Sequence, residues 1–220
     1  TWQALFAAMP RWAWLLALAA STVIVAVIAS RYLWQPPSEY AFGAQRANYT
    51  RHAVTMMLHI GGGVVALLTG VLQFLPPVKT RRRLHRGIGT VYALAVLVGG
   101  AAGLHAATFA AGGASNHVAF TLFSLVWLTS TAMAMVSLLR RDIAAHQLWM
   151  KRSFAVTFGA VTFRMELGLL IFGLGFSFDE AYLVVPWTSW ALNLLLVDWV
   201  PAFRRFKIPR PARLSRAGRV

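Results

Sequence analysis

The chain has 220 residues, of which 58% are hydrophobic and only 12% charged, about half the usual charged share of a soluble domain. A mean hydropathy of +0.61 is more apolar surface than a soluble core can use, so the solvent of this protein is lipid. The absence of cysteine excludes disulfide frameworks, thiolate zinc sites, iron–sulfur clusters and cysteine nucleophiles.

A bilayer core of about 30 Å takes roughly 20 apolar residues per helix. Six segments meet that length, at 12–34, 53–75, 87–110, 118–139, 153–176 and 182–203. The first follows Met9-Pro10-Arg11 and could pass for a signal peptide. It is too long for an apolar signal core and ends in Arg31-Tyr32-Leu33-Trp34 rather than at small residues, so it is read as a retained helix. The outer loop after Trp34, with Pro36-Pro37 and Tyr40, is expected to fold over the outer face. The fold class is all-α: a six-helix transmembrane bundle over 1–203 and a basic, disordered tail over 204–220.

Basic residues in short loops set the orientation. Arg11, the run Lys79, Arg81, Arg82, Arg83 and Arg86, the pairs Arg140-Arg141 and Lys151-Arg152, and the tail from Arg204 to Arg219 fall on one side. The other side holds Arg31, Arg46 and Arg51 with Glu39, Asp179 and Glu180. Six spans with both termini cytoplasmic satisfy every loop. The same placement explains the 21 Lys and Arg against 6 Asp and Glu without a nucleic-acid partner; membrane lipid is the expected neighbour.

Six histidines are distributed over the two ends of the helices. His52 and His59 lie on helix two, His105 near the outer end of helix three, and His117 at the start of helix four. On the cytoplasmic side His85 precedes helix three and His146 precedes helix five. Paired imidazoles at matched depth on separate helices are what axial ligation of a haem requires. His117 matches His52 in depth, and His59 matches His105. Small residues accompany them at helical spacing: His59, Gly63, Ala66, Gly70 and Gln73 on helix two, and His85, Gly89, Tyr92, Val96, Gly99 and Gly103 on helix three. Such faces admit a close helix neighbour or a flat macrocycle.

Helix five carries Arg164 and Glu166, and helix six carries Asn193 and Asp198. Inserting an arginine at mid-membrane costs about 2.5–3.5 kcal/mol, and Arg164 lies about 18 Å along the axis from Arg152. Its partner is Glu166, Asp198 or an anionic ligand. No hydrolase or phosphate-loop pattern occurs, since Gly61-Gly62-Gly63 lacks the Lys and Ser/Thr a phosphate loop needs. No residue is read as catalytic, and enzymatic activity stays open.

The stretch from His59-Ile-Gly-Gly-Gly through Leu84-His-Arg-Gly-Ile-Gly-Thr-Val-Tyr92 to Asp142-Ile-Ala-Ala-His-Gln-Leu-Trp-Met-Lys-Arg-Ser-Phe-Ala-Val-Thr157 and Val161-Thr-Phe-Arg164 resembles a bacterial family of predicted membrane proteins carrying a domain of unknown function. The resemblance covers roughly 50–170. It implies a bacterial inner (cytoplasmic) membrane location and marks His59, His85, His146 and Arg164 as signature positions. More loosely, the helix count and histidine placement are similar to the transmembrane ascorbate-dependent di-haem cytochromes b. That layout implies an outer haem on His52 or His59 with His117, and an inner haem on His85 with His146.

The leading expectation is a haem b protein carrying electrons across the membrane between a cytoplasmic donor or quinol and an outer acceptor. Its cofactor contacts would be His59, His85, His105, His117, His146 and Arg164, with the iron on His59, His85, His117 and His146; a quinone is a further candidate ligand. An accessory or assembly subunit of a larger membrane complex is the alternative. A metal-ion transporter using His52, Met56, Met57 and His59 as an entry site is the third.

Overall fold

Lipid cannot hydrogen-bond a peptide group, so a spanning segment must satisfy its backbone internally. Each of the six apolar segments accordingly lies in a helix in the computed structural model, which describes residues 11–36 and 43–205. The helices are α1 (Arg11–Trp34), α2 (Gly43–Arg51), α3 (Ala53–Phe74), α4 (Pro76–Thr80), α5 (Arg82–Ala107), α6 (Gly113–Leu139), α7 (Ile143–Gly168) and α8 (Phe178–Arg205). A π turn, Leu169–Gly173, extends α7. No strand occurs among the described residues.

Five of these helices are long and apolar enough to cross a membrane: α3, α5, α6, α7 with its π turn, and α8. In α1 the stretch Ala19–Ala29 is apolar. The segment at 37–42, which includes Glu39 and Tyr40, lies outside the described residues, as do residues 206–220 of the tail.

The helices run past the apolar segments that reveal them. α5 begins at Arg82 and not near 87, α7 at Ile143 and not near 153, and α8 at Phe178 and not near 182. Hydropathy marks only the part in hydrocarbon, whereas capping sets the helix end. Asp142 caps α7 by accepting from the Ala145 amide at 2.9 Å. His85 and His146 therefore sit within the first turns of α5 and α7, not ahead of them.

Consecutive helices pack side by side, and α7 stands at the centre, touching α1, α3, α6 and α8. In lipid no hydrophobic force drives helices together, so close van der Waals contact must do it. The α3–α5 seam shows how. A Cβ at Gly62 would lie 2.7 Å from the Gly99 Cα and 2.8 Å from the Ala95 carbonyl oxygen. The two backbones touch there. At the basic end of the seam Gln73 donates to the His85 carbonyl at 2.9 Å, and at the opposite end Thr55 meets His105 at 2.9 Å. These contacts fix an antiparallel register.

Polar clamps fasten α8 to α7. Arg152 Nε pairs with Asp198 at 3.0 Å, Asn193 Nδ2 donates to Thr162 at 2.8 Å, and Thr188 donates to Glu166 at 2.6 Å. Around Tyr92, Val96, Trp127, Phe154 and Val156 these elements enclose one buried cluster.

A cavity in the helix bundle as the candidate functional site

Away from the basic end, the bundle holds a half-open cavity of about 290 Å³, just under the usual range for small-molecule sites. Its walls come from α1, α2, α3, α5, α6, α7 and α8, and most are apolar or aromatic. Phe120, Phe123, Trp127, Phe163 and Tyr182 supply the rings. Its polar side chains include His59 from α3, Arg164 from α7 and Asn48 from α2.

His59 is held in one tautomer. Its Nδ1 lies 2.9 Å from the Gly99 carbonyl oxygen, and a carbonyl only accepts, so Nδ1 carries the proton and Nε2 the lone pair. Gly103 makes the space for this ring, since a Cβ there would fall 2.9 Å from Nδ1 and 2.8 Å from Ser124 Oγ. Gly63, read from the sequence as part of the small-residue face with His59, has nothing within 4 Å of its would-be Cβ and lines the cavity.

Arg164 donates to the Ala160 carbonyl at 2.7 Å. The two carboxylates considered as its partners have contacts of their own, Asp198 with Arg152 and Glu166 with Thr188. In the continuous helix Ile143–Gly173 Arg164 lies past the midpoint, toward the cavity end.

Below the cavity lies a hydroxyl cluster that sequence reading missed. Tyr92, fully buried, contacts Ser153 Oγ at 2.7 Å and Thr157 Oγ1 at 2.8 Å. Thr157 accepts from Trp127 Nε1 at 2.7 Å, and Ser153 contacts Thr131 at 2.6 Å. Thr157 and Trp127 are also cavity-wall residues. The available signal was Ser153 and Thr157 one helical turn apart within an apolar run.

The remaining histidines separate into groups. His85 on α5 and His146 on α7 lie at the same, basic end of the bundle. His146 Nδ1 donates to the Ala134 carbonyl at 2.9 Å, which leaves its lone pair on Nε2. His85 Nδ1 is buried without a hydrogen-bond partner. His117 is not brought onto the wall of the His59 cavity; its Nε2 donates to the Ala110 carbonyl at 2.9 Å, beside a separate shallow pocket. His105 and His52 meet at the end opposite the basic cluster, with ring centroids 5.7 Å apart. Among the described residues no three of His, Cys, Asp and Glu converge on a metal position.

These features define a multi-pass helical membrane protein with a polar-faced cavity inside its bundle. Residues 56–200 match a family described as predicted membrane protein (DUF2306), and the chain belongs to that family. No curated protein and no solved structure matches it.

Proposed function

We propose that this protein is a redox component of the bacterial inner membrane that receives the head group of a quinone in the His59–Arg164 cavity. The reading takes α1 as a sixth span and the basic end as cytoplasmic. One observation carries it: an aromatic-walled cavity inside the bundle presents one guanidinium and one imidazole with a defined lone pair. Guanidinium N–H groups donate to a quinone carbonyl, and the Nε2 lone pair accepts from a hydroquinone hydroxyl. Apolar walls suit the ring and exclude water.

Haem b is assigned to His85 and His146, the two inner histidines. The donor set fits: one ring has its Nδ1 fixed by a backbone carbonyl, as ligating histidines usually do, and the other has a buried nitrogen with no partner. Haem there supplies one-electron chemistry. The protein's own part is to orient the imidazoles and surround the group with positive charge.

The test is analytical. Solvent extraction of the detergent-purified protein should yield stoichiometric quinone, and a reduced-minus-oxidised spectrum should show low-spin haem. Arg164→Met should lower quinone content several-fold in folded protein, and His85→Ala and His146→Ala should each abolish the same spectral component. Wild-type protein holding neither group would sink the redox reading and favour an accessory-subunit role.

A further inference from the structure

At the end opposite the basic cluster, two imidazoles from different helices stand against each other. His52 is the N-cap of α3, and His105 lies in the last turn of α5. Their centroids are 5.7 Å apart with the rings nearly perpendicular, at 87°. His105 Nδ1 is held by Thr55 Oγ1 at 2.9 Å. Beneath His52 the Phe109 ring stacks at 4.0 Å and 10°. Phe109 is itself a cavity-wall residue, and its carbonyl accepts from Asn48 at 2.7 Å.

We infer that His52 and His105 form a binding site for a divalent transition-metal ion, Cu²⁺ or Zn²⁺, at the mouth of the cavity. Geometry supports it. A metal 2.0–2.1 Å from one nitrogen of each ring, at a near-tetrahedral angle, puts the centroids roughly 5–6 Å apart, and the observed separation falls inside that range. Thr55 acts as the outer partner that orients a ligating imidazole. Either atom of the Thr55–His105 contact can be the donor, and the tautomer protonated at Nδ1 leaves the Nε2 lone pair to the ion. Neutral imidazole suits Cu²⁺ and Zn²⁺, with Cu²⁺ held more tightly.

No described carboxylate or third histidine completes the site, so water or an external ligand fills the other positions. The ion's charge is not neutralised by the protein, and binding is moderate and reversible. A bound ion ties the start of α3 to the end of α5 and pins Phe109 beneath His52. It is a clamp across the cavity mouth, whatever the cavity holds.

The test uses the full chain in detergent, purified without a histidine tag and stripped with chelator. Titrated with Cu²⁺ alone, it should bind one ion whose electron paramagnetic resonance spectrum shows coupling to two nitrogens, and Cu²⁺ should displace Zn²⁺ bound beforehand. His52→Gln and His105→Gln should each weaken binding by more than about tenfold, and Thr55→Val should weaken it by about that factor. His117→Gln should leave it unchanged. A wild-type spectrum coupled to fewer than two nitrogens overturns the assignment even if no variant folds. Unchanged affinity in both His52→Gln and His105→Gln, or loss in His117→Gln instead, also overturns it.

Discussion

Tyr92, Ser153, Thr157 and Thr131 form a linear chain whose two ends are carbonyl oxygens. Thr157 donates to the Ser153 carbonyl at 2.9 Å and Thr131 to the Trp127 carbonyl at 2.9 Å, while three hydroxyl–hydroxyl contacts join the four groups. Five contacts thus share four hydroxyl protons, so one contact always lacks its proton. This sets an order of mutational costs. Tyr92→Phe removes one proton and two contacts, and what remains is balanced; it should cost only about 0.5–1.5 kcal/mol. Ser153→Ala leaves the same balance and should cost about as little. Thr157→Val strands the Trp127 indole N–H, a buried donor, and should cost about 1–3 kcal/mol beyond the lost bonds. Thermal unfolding in detergent ranks the three variants. A Tyr92→Phe loss equal to that of Thr157→Val would contradict the proton count.

At the scale of elements, the α3–α5 seam decides where His59 points. Gly62→Ala forces a methyl against two backbone groups of α5, neither of which can rotate away. The helices must part, at a cost of about 1–3 kcal/mol by analogy with overpacked cores, and the His59–Gly99 bond lengthens with them. Gly63→Ala meets nothing, so it should leave stability unchanged while placing a methyl on the cavity wall. Comparing the two melting temperatures, with quinone content as a second readout, separates seam from cavity. Equal destabilisation by both would refute the distinction. The sequence made the small-residue face of α3 legible, because Ala66, Gly70 and Gln73 recur at helical spacing and are all buried. It put Gly63 on that face and passed over Gly62, where the backbones touch, because which of two adjacent positions meets α5 depends on the partner's rotation. The partners of His59 and His146 were equally invisible, being backbone carbonyls with no side-chain signature. His85 with His146 was legible from the shared helix end, and Arg164 from the cost of burying it.

For the whole molecule, charge asymmetry is the dominant electrostatic feature. The end built from the α4–α5 and α6–α7 connections holds Lys79, Arg81, Arg82, Arg83, Arg86, Arg140 and Arg141, all exposed. The opposite end, where α6 begins and α7 gives way to α8, exposes Asp179 and Glu180. Cationic loops resist translocation, so the basic end should remain cytoplasmic. The chain contains no cysteine, which makes single introduced thiols clean reporters of side. Ala114, Ser177 and Thr80 are each exposed, so a thiol at any of them reacts whenever the reagent reaches its side. In intact cells an impermeant maleimide should label Ala114→Cys and Ser177→Cys and spare Thr80→Cys until the membrane is opened. The reverse pattern would turn the molecule over in the membrane: the His52–His105 pair would then face the cytoplasm, and the proposed haem position the outside.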